Sequence, residues 1–308
     1  VKVEQTELKT GQKSVLKIDH QVIGRFRSHL ARLGRHSATV DCYGRDGSAF
    51  LKFLDRAGVE TSEIGPKTID EYQEYLRSTG HVNNSIRRSV IGVRQLFRYI
   101  QEEHGLGQSP IEESIIPKRT DVFRHRLTPM LIDRIFADAR RQSVKLKALR
   151  DQVMLGLLGY EGLKVNELIH LCWKDFLHSS KSSRLRIQGE RPRLIDVEPL
   201  VAQSLQELRD HTKHLALKSG KLFSGDSRVM VGFKGAGLRL VISELTRHGV
   251  KFALYELGKH AEVDHLNSED LRHHAIAHKV GLGLSNEEVM VHLGLRTPGK
   301  TRLHSATE

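Results

Sequence analysis

Two stretches of the chain combine a helical spacing of apolar residues with several arginines and no acidic residue. Residues 21–40 carry Arg25, Arg27, Arg32 and Arg35, and residues 81–100 carry Arg87, Arg88, Arg94 and Arg98. Arginine suits a phosphate because its planar fork donates paired hydrogen bonds and keeps its charge. Acid-free runs on two helical segments point to contacts with the backbone of a polyanion, against the plainer reading of a solvated basic face. Arg87 and Arg88 come first, because they precede the apolar stripe of their helix. Lys234 and Lys251 are weaker candidates. Two other patterns carry less. His274 and His278, four apart beside His273, suggest a metal, but no further ligand stands at a sensible spacing, so neither metal nor other cofactor is expected. Gly232-Phe-Lys-Gly-Ala-Gly237 lacks the G-K-[ST] of a phosphate loop and reads as a loop or hairpin turn.

The elements that must position these groups are mostly helices. The 308 residues are too many for one ordinary core and comfortable for two. Residues 1–20 read as a polar tail, and 21–105 as a small all-helical domain. In it Ile23, Phe26, Leu30 and Leu33 keep one stripe, and Val90, Val93, Leu96, Phe97 and Ile100 another. Thr68-Ile-Asp-Glu71 reads as a capping box opening a helix that stops at Gly80. The periodicity breaks at Gly105, Gly107, Pro110 and Pro117, so 106–122 is expected to be an interdomain linker. The second domain, 123–308, opens on Thr128-Pro129, an N-cap with proline at the first helical position. A strongly apolar helix follows through Leu158, with Trp173 and Phe176 in the core beyond it. Short strands at Leu185–Ile187 and Leu194–Val197 flank the turn Gln188 to Arg193. Helices are expected around 199–215, near Leu245–His260, after Asn267 and after Ser285, with Ser285-Asn-Glu-Glu288 as a capping box and Gly294 as a stop.

Charge narrows the partner. Lys plus Arg number 49 against 37 Asp plus Glu, a net charge of +12. Residues 1–117 hold 17 basic and 15 acidic side chains, whereas 118–308 hold 32 and 22. This favours a polyanion. No apolar run is long enough to span a membrane, and the two cysteines, Cys42 and Cys172, form no C-x-x-C pair. A cytoplasmic protein is expected.

Three segments, taken in order, resemble the tyrosine recombinases, the phage-integrase and Xer family. Arg150-Asp-Gln through Gly162-Leu-Lys-Val-Asn-Glu-Leu168 is similar to that family's apolar helix and G-L-R-x-S-E-L box. Leu271-Arg272-His273 resembles the core of its H-x-L-R-H box, and Leu293-Gly294-Leu295 falls where L-G-H stands. Asn84–Arg88 to Gln95–Tyr99 looks like the end of the core-binding domain. The resemblance implies a mainly α fold: a helical, SAM-like core-binding domain, then an α+β catalytic-type domain with a small antiparallel sheet. It also implies a clamp around double-stranded DNA and a tyrosine that attacks a phosphodiester. Two arginines and a histidine or tryptophan would hold the phosphate oxygens, and a hairpin lysine would protonate the leaving group.

Position by position the sequence departs from that set. The first arginine maps onto Lys164, the hairpin lysine near Arg191, the first histidine onto Glu269, the second histidine or tryptophan onto Leu295, and the tyrosine onto His304. Glu167 and Arg272 match. Arginine is a poor proton donor, leucine cannot hydrogen-bond, and a carboxylate at 269 repels a phosphate. Each missing donor costs about 3 kcal/mol of transition-state stabilisation. The expectation is a non-catalytic, nucleoid-associated DNA-binding protein, not an enzyme. It would occupy, bridge or organise DNA, or regulate an active recombinase, as a homo-oligomer or beside that partner. Its DNA contacts would be Arg87, Arg88, Arg94, Arg98, Arg25, Arg27, Lys164, Arg191 and Arg272. The alternative is a site-specific recombinase with atypical chemistry, in which His304 could form a phosphoramidate.

Overall fold

Among the described residues the first part forms four helices, as its all-helical reading predicts: α1 (Val22–Arg32), α2 (Ser37–Ala57), α3 (Pro66–Ser78) and α4 (Asn83–His104). The computed structural model describes residues 20–60, 63–104, 109, 111–120, 127–220, 222–234 and 241–295. The chain divides into two units, Val1–Val122 and Phe123–Glu308. In the first, Phe26, Phe50, Tyr72, Val90, Val93 and Leu96 are buried in one core. Helices α2 and α4 approach closely because small residues meet there. A Cβ on Gly92 would lie 3.1 Å from Cβ of Asp46, and one on Gly47 3.1 Å from Leu96. Gly58, at φ +64°, ends α2 in a left-handed cap that glycine adopts without steric cost.

Two local readings change in this unit. Thr68 is not the N-cap of α3. The helix starts earlier, at Pro66, and Thr68 Oγ1 accepts from the Gly65 N–H at 3.1 Å. Proline pre-sets the first helical turn, so it takes precedence over the downstream threonine. Residues 111–120, expected within a linker, are strapped to α3 and α4. Ile111 is fully buried, Gln73 Nε2 donates to the Ile115 carbonyl at 3.1 Å, and Asn84 Nδ2 donates to that of Thr120 at 2.7 Å. Of the residues that break helical periodicity there, Pro117 lies in this anchored segment, and Gly105, Gly107 and Pro110 lie outside the described residues.

The second unit is built around α6 (Lys145–Gly159), whose residues are buried on nearly every side. It packs against α8 (Pro199–Lys218), where Gly156 receives Val201, and against α10 (Ser268–Gly281). Before it, α5 (Pro129–Arg140) is capped by Thr128 Oγ1, which accepts from the Leu131 N–H at 3.3 Å. After it come α7 (Val165–His170) and an antiparallel sheet in the order β1 (Phe176–His178), β2 (Ser183–Ile187), β3 (Arg193–Asp196), with Leu185 opposite Ile195. Three residues are too few to show alternation, so β1 is invisible in the sequence. The glycine-broken stretch contains a hairpin, β4 (Val231–Lys234) with β5 (Val241–Glu244). There Gly232 passes so close to the partner strand that a Cβ would lie 2.7 Å from the Glu244 carbonyl oxygen. Helices α9 (Arg247–His260) and α11 (Asn286–Leu293) complete the unit, and Trp173 and Phe176 are in its core.

Candidate nucleic-acid site

The motif segments converge at one end of α6. Gly162, at φ +64°, turns the chain out of that helix, and a Cβ there would meet Leu293 Cδ2 at 2.6 Å, so α11 rests directly on the turn. Arg272 on α10 donates from Nη1 to the Gly162 carbonyl and from Nη2 to the Leu293 carbonyl, each at 2.6 Å. The side chain is buried. Burial pushes its guanidinium below the ordinary range, and the carboxylates of Glu167 and Glu269 pull the other way. The sequence offered a phosphate contact or an ion pair with Glu167 or Glu269. The structure instead commits both terminal nitrogens to backbone carbonyls.

Glu167 has a different partner. Arg193, at the start of β3, grips it bidentately, Nη1 to Oε1 at 2.8 Å and Nη2 to Oε2 at 3.1 Å. The Lys164 backbone N–H adds a bond of 2.8 Å to Oε2. Burial pushes the Glu167 carboxyl up, but the Arg193 and Lys164 hydrogen bonds and the charges of Arg193 and Arg272 outweigh it and hold it below its ordinary value. Arg193 also donates from Nε to the His292 carbonyl at 2.7 Å, and Arg191 donates from Nη1 to that of Leu295 at 2.6 Å. Three arginines thus bind the carbonyls of His292, Leu293 and Leu295, at and just past the C-terminal end of α11, where helix carbonyls lack intrahelical partners and carry negative partial charge. The sequence reading gave Arg193 no role. Its signal was alternation: Arg191 and Arg193 are two apart and so share one side of the hairpin.

Of the remaining mapped positions, Lys164, Arg191, Glu269 and Leu295 are described. Lys164 precedes α7 with its side chain 39% exposed and its Nζ 3.9 Å from Glu190 Oε2. Arg191 is half-buried, and Glu269 is exposed in the first turn of α10. Leu295 packs beside Ala275, Ile276, Val289 and Leu293. His304 lies outside the described residues. Nearby, Arg247 donates to Asn166 Oδ1 at 2.9 Å, and His248 and Lys251 are exposed on α9. The side chain of Lys234 lies outside the described residues.

In the first unit the arginines of α4 have partners. Arg87 Nη1 donates to the Pro117 carbonyl at 2.6 Å. Arg88 grips buried Asp46 bidentately at 3.0 and 2.9 Å with its own side chain 49% exposed. Arg94 bonds Ser114 and Arg98 bonds Glu112. The acid-free run therefore is not an unpaired basic face. Its partners come from α2 and the 111–120 strap. Arg25 is exposed beside Tyr99, Arg27 lies across Gly44 with its Nε buried, and Arg32 and Arg35 are exposed. Of the histidine group, His274 Nδ1 is 2.7 Å from the Gly159 carbonyl and His278 Nε2 3.0 Å from both Glu198 oxygens. Burial lowers the His274 pKa, partly offset by that Gly159 bond. Among the described residues no group of three or more His, Cys, Asp or Glu could hold a metal ion, and no helix is long and apolar enough to cross a membrane.

A four-helix unit followed by a mainly helical unit with a small antiparallel sheet is the architecture of the tyrosine recombinases and lambda integrase. The post-cleavage complex of XerH site-specific recombinase with palindromic difH substrate superposes with a TM-score of 0.68 at 14% identity, covering 96% of this chain and 87% of the other. A lambda integrase dimer on a COC′ core site gives 0.67 at 18% identity, covering 94% and 78%. In sequence the chain is 25% identical over 266 residues to tyrosine recombinase XerC of Staphylococcus saprophyticus, covering 85% of each. It is 26% identical over 277 residues to tyrosine recombinase XerD of Halalkalibacterium halodurans, covering 88% of each. No family model matches the chain. Over most of its length the chain is similar to the Xer tyrosine recombinases, and it has a lambda-integrase-like fold. That corrects one expectation: the relatives matching along most of its length are named as recombinases, which are enzymes, so the sequence departures do not make this chain a non-enzyme.

Proposed function

We propose that the chain is a site-specific recombinase with atypical active-site groups, which binds duplex DNA and cleaves and rejoins its strands. The observation that carries this reading is the convergence of the Gly162–Leu168, Arg272 and Leu293–Leu295 segments on one cluster of arginines. At its edge Lys164 and Arg191 supply a phosphate contact from partly exposed side chains. His304 takes the tyrosine's place as nucleophile: its imidazole nitrogen bonds to phosphorus as the P–O bond to one deoxyribose oxygen breaks, the ring's proton passes to that oxygen, and the freed hydroxyl later attacks the phosphoramidate to restore the phosphodiester and return the proton to the imidazole. In the second unit Arg247, His248 and Lys251 on α9 extend the basic surface, whose net charge of +10 over 118–308 supplies a broad attraction. In the first unit Arg32 and Arg35, exposed at the end of and after α1, are the better phosphate contacts, with Arg25, bonded to Tyr99, and Arg88, paired with Asp46, as oriented ones and Arg87, Arg94, Arg98 and Arg27 largely structural. Work on chromosomal DNA in the cytoplasm, with a second copy or another recombinase as partner, belongs to the same reading.

The test is to recover the sites the protein occupies by crosslinking in cells, then place two copies on one plasmid. Resolution of that plasmid into two circles by the purified protein, alone or with its partner, is the expected result. A plasmid that is bound and never resolved refutes the strand-exchange part, and one that is not bound refutes both.

A further inference from the structure

A second polar cluster meets α11 through the His292 side chain, and neither the family motifs nor the proposed chemistry uses it. Glu161, the residue before Gly162, is fully buried. Its Oε2 is 3.0 Å from Lys279 Nζ and 3.0 Å from His292 Nε2, and its Oε1 accepts the Glu198 backbone N–H at 2.8 Å. Lys279, only 3% exposed, also reaches Glu198 Oε1 at 2.6 Å, and His278 meets the same carboxylate. One network therefore ties the end of α6, the start of α8, α10 and α11.

Buried ion networks of this kind gain little stability over well-packed apolar residues, but their bonds are directional. Direction matters most for α11. That helix has eight residues, of which only Val289 and Leu293 are buried, too little apolar surface to fix its rotation and height. Two of its polar anchors are at one residue: the His292 side chain on Glu161 and the His292 carbonyl on Arg193. The next carbonyls, of Leu293 and Leu295, hold Arg272 and Arg191.

We propose that Glu161, Lys279 and His292 are positioning residues: they set α11, and through its last carbonyls the Arg191–Arg193–Arg272 cluster, against the turn at Gly162. The assignment rests on the site described above for its purpose, but its test needs no DNA. Hydrogen exchange of the free full-length protein is followed over α6, α8 and α11 in wild type, His292→Leu and His292→Gln. Gln keeps an N–H donor for Glu161, and Leu does not. With His292→Leu, α11 should exchange faster by about tenfold or more, as losing one charge-assisted hydrogen bond implies, while α6 and α8 keep wild-type protection. His292→Gln should restore slow exchange. Because His292→Leu could lower overall stability, the double variant Glu161→Gln/Lys279→Met, which removes one charge of each sign, is measured as well. It should retain α6 and α8 protection and lose that of α11. Wild-type exchange of α11 in both variants, or equal acceleration of all three helices, overturns the proposal. Failure of plasmid resolution or DNA binding leaves these readings unaffected, so the two claims fail separately.

Discussion

Replacing Glu198 by glutamine gives a prediction whose size follows from the structure. The Glu198 carboxyl takes contacts from Lys279 and His278, and its backbone N–H binds Glu161. Burial pushes its pKa up, but the His278 and Lys279 hydrogen bonds and charges outweigh it and lower it from 4.5 to about 2. Two and a half units correspond to roughly 3 kcal/mol at 1.36 kcal/mol per unit. The folded value is depressed, so this stability is present above pH 4.5 and is lost as pH falls from there towards 2. Urea unfolding of wild type and Glu198→Gln at intervals from pH 7 to pH 2.5 measures it. The variant should be less stable by about 3 kcal/mol at pH 6, and the gap should close progressively below pH 4.5. A gap that is constant across the whole range would show that glutamine disturbs packing and that the charged network is not the source.

Further predictions concern particular contacts. Arg88→Ala leaves the buried Asp46 carboxylate without its fork and should destabilise the first unit by about 2 kcal/mol, whereas Arg88→Ala with Asp46→Asn should recover part of that loss in thermal unfolding. Gly162→Ala forces a side chain into a left-handed backbone position and against Leu293, so a loss of about 2 kcal/mol or more is expected in denaturant titration. Lys164→Ala with Arg191→Ala should flatten the slope of log affinity against log salt by about two units for random duplexes. Arg88→Ala, whose charge Asp46 already compensates, should flatten it by less than about 0.9.

What could be read in advance follows from how far apart the interacting residues lie. Thr128-Pro129, Ser285 with Glu288, and Gly294 were legible because caps act within one turn of chain. The order of helices followed from apolar spacing, since burial of a stripe forces the same geometry wherever it occurs. The partners of the α4 arginines were not legible for the opposite reason: Asp46 is 42 residues from Arg88 and Ser114 20 from Arg94, and an acid-free window hides partners outside it. Arg193 and Glu167 are 26 apart and join only when the hairpin folds onto α7. Lys279 left a signal that went unused. Leu271, Arg272, Ala275, Ile276 and Lys279 form the buried stripe of α10, and a charge on such a stripe requires a buried counter-charge. Glu161, at the end of the most apolar helix, is that counter-charge.

The central claim is that this chain breaks DNA strands through an atypical nucleophile. Incubating the full-length protein with a duplex of its recovered site, nicked so that cleavage releases a short fragment and cannot be reversed, tests this most directly. The account predicts a DNA-linked protein band that survives denaturation, is labile to acid as a phosphoramidate should be, and is absent for His304→Ala. A wild-type protein that binds this duplex and yields no covalent band, or a band that persists in His304→Ala, would contradict it.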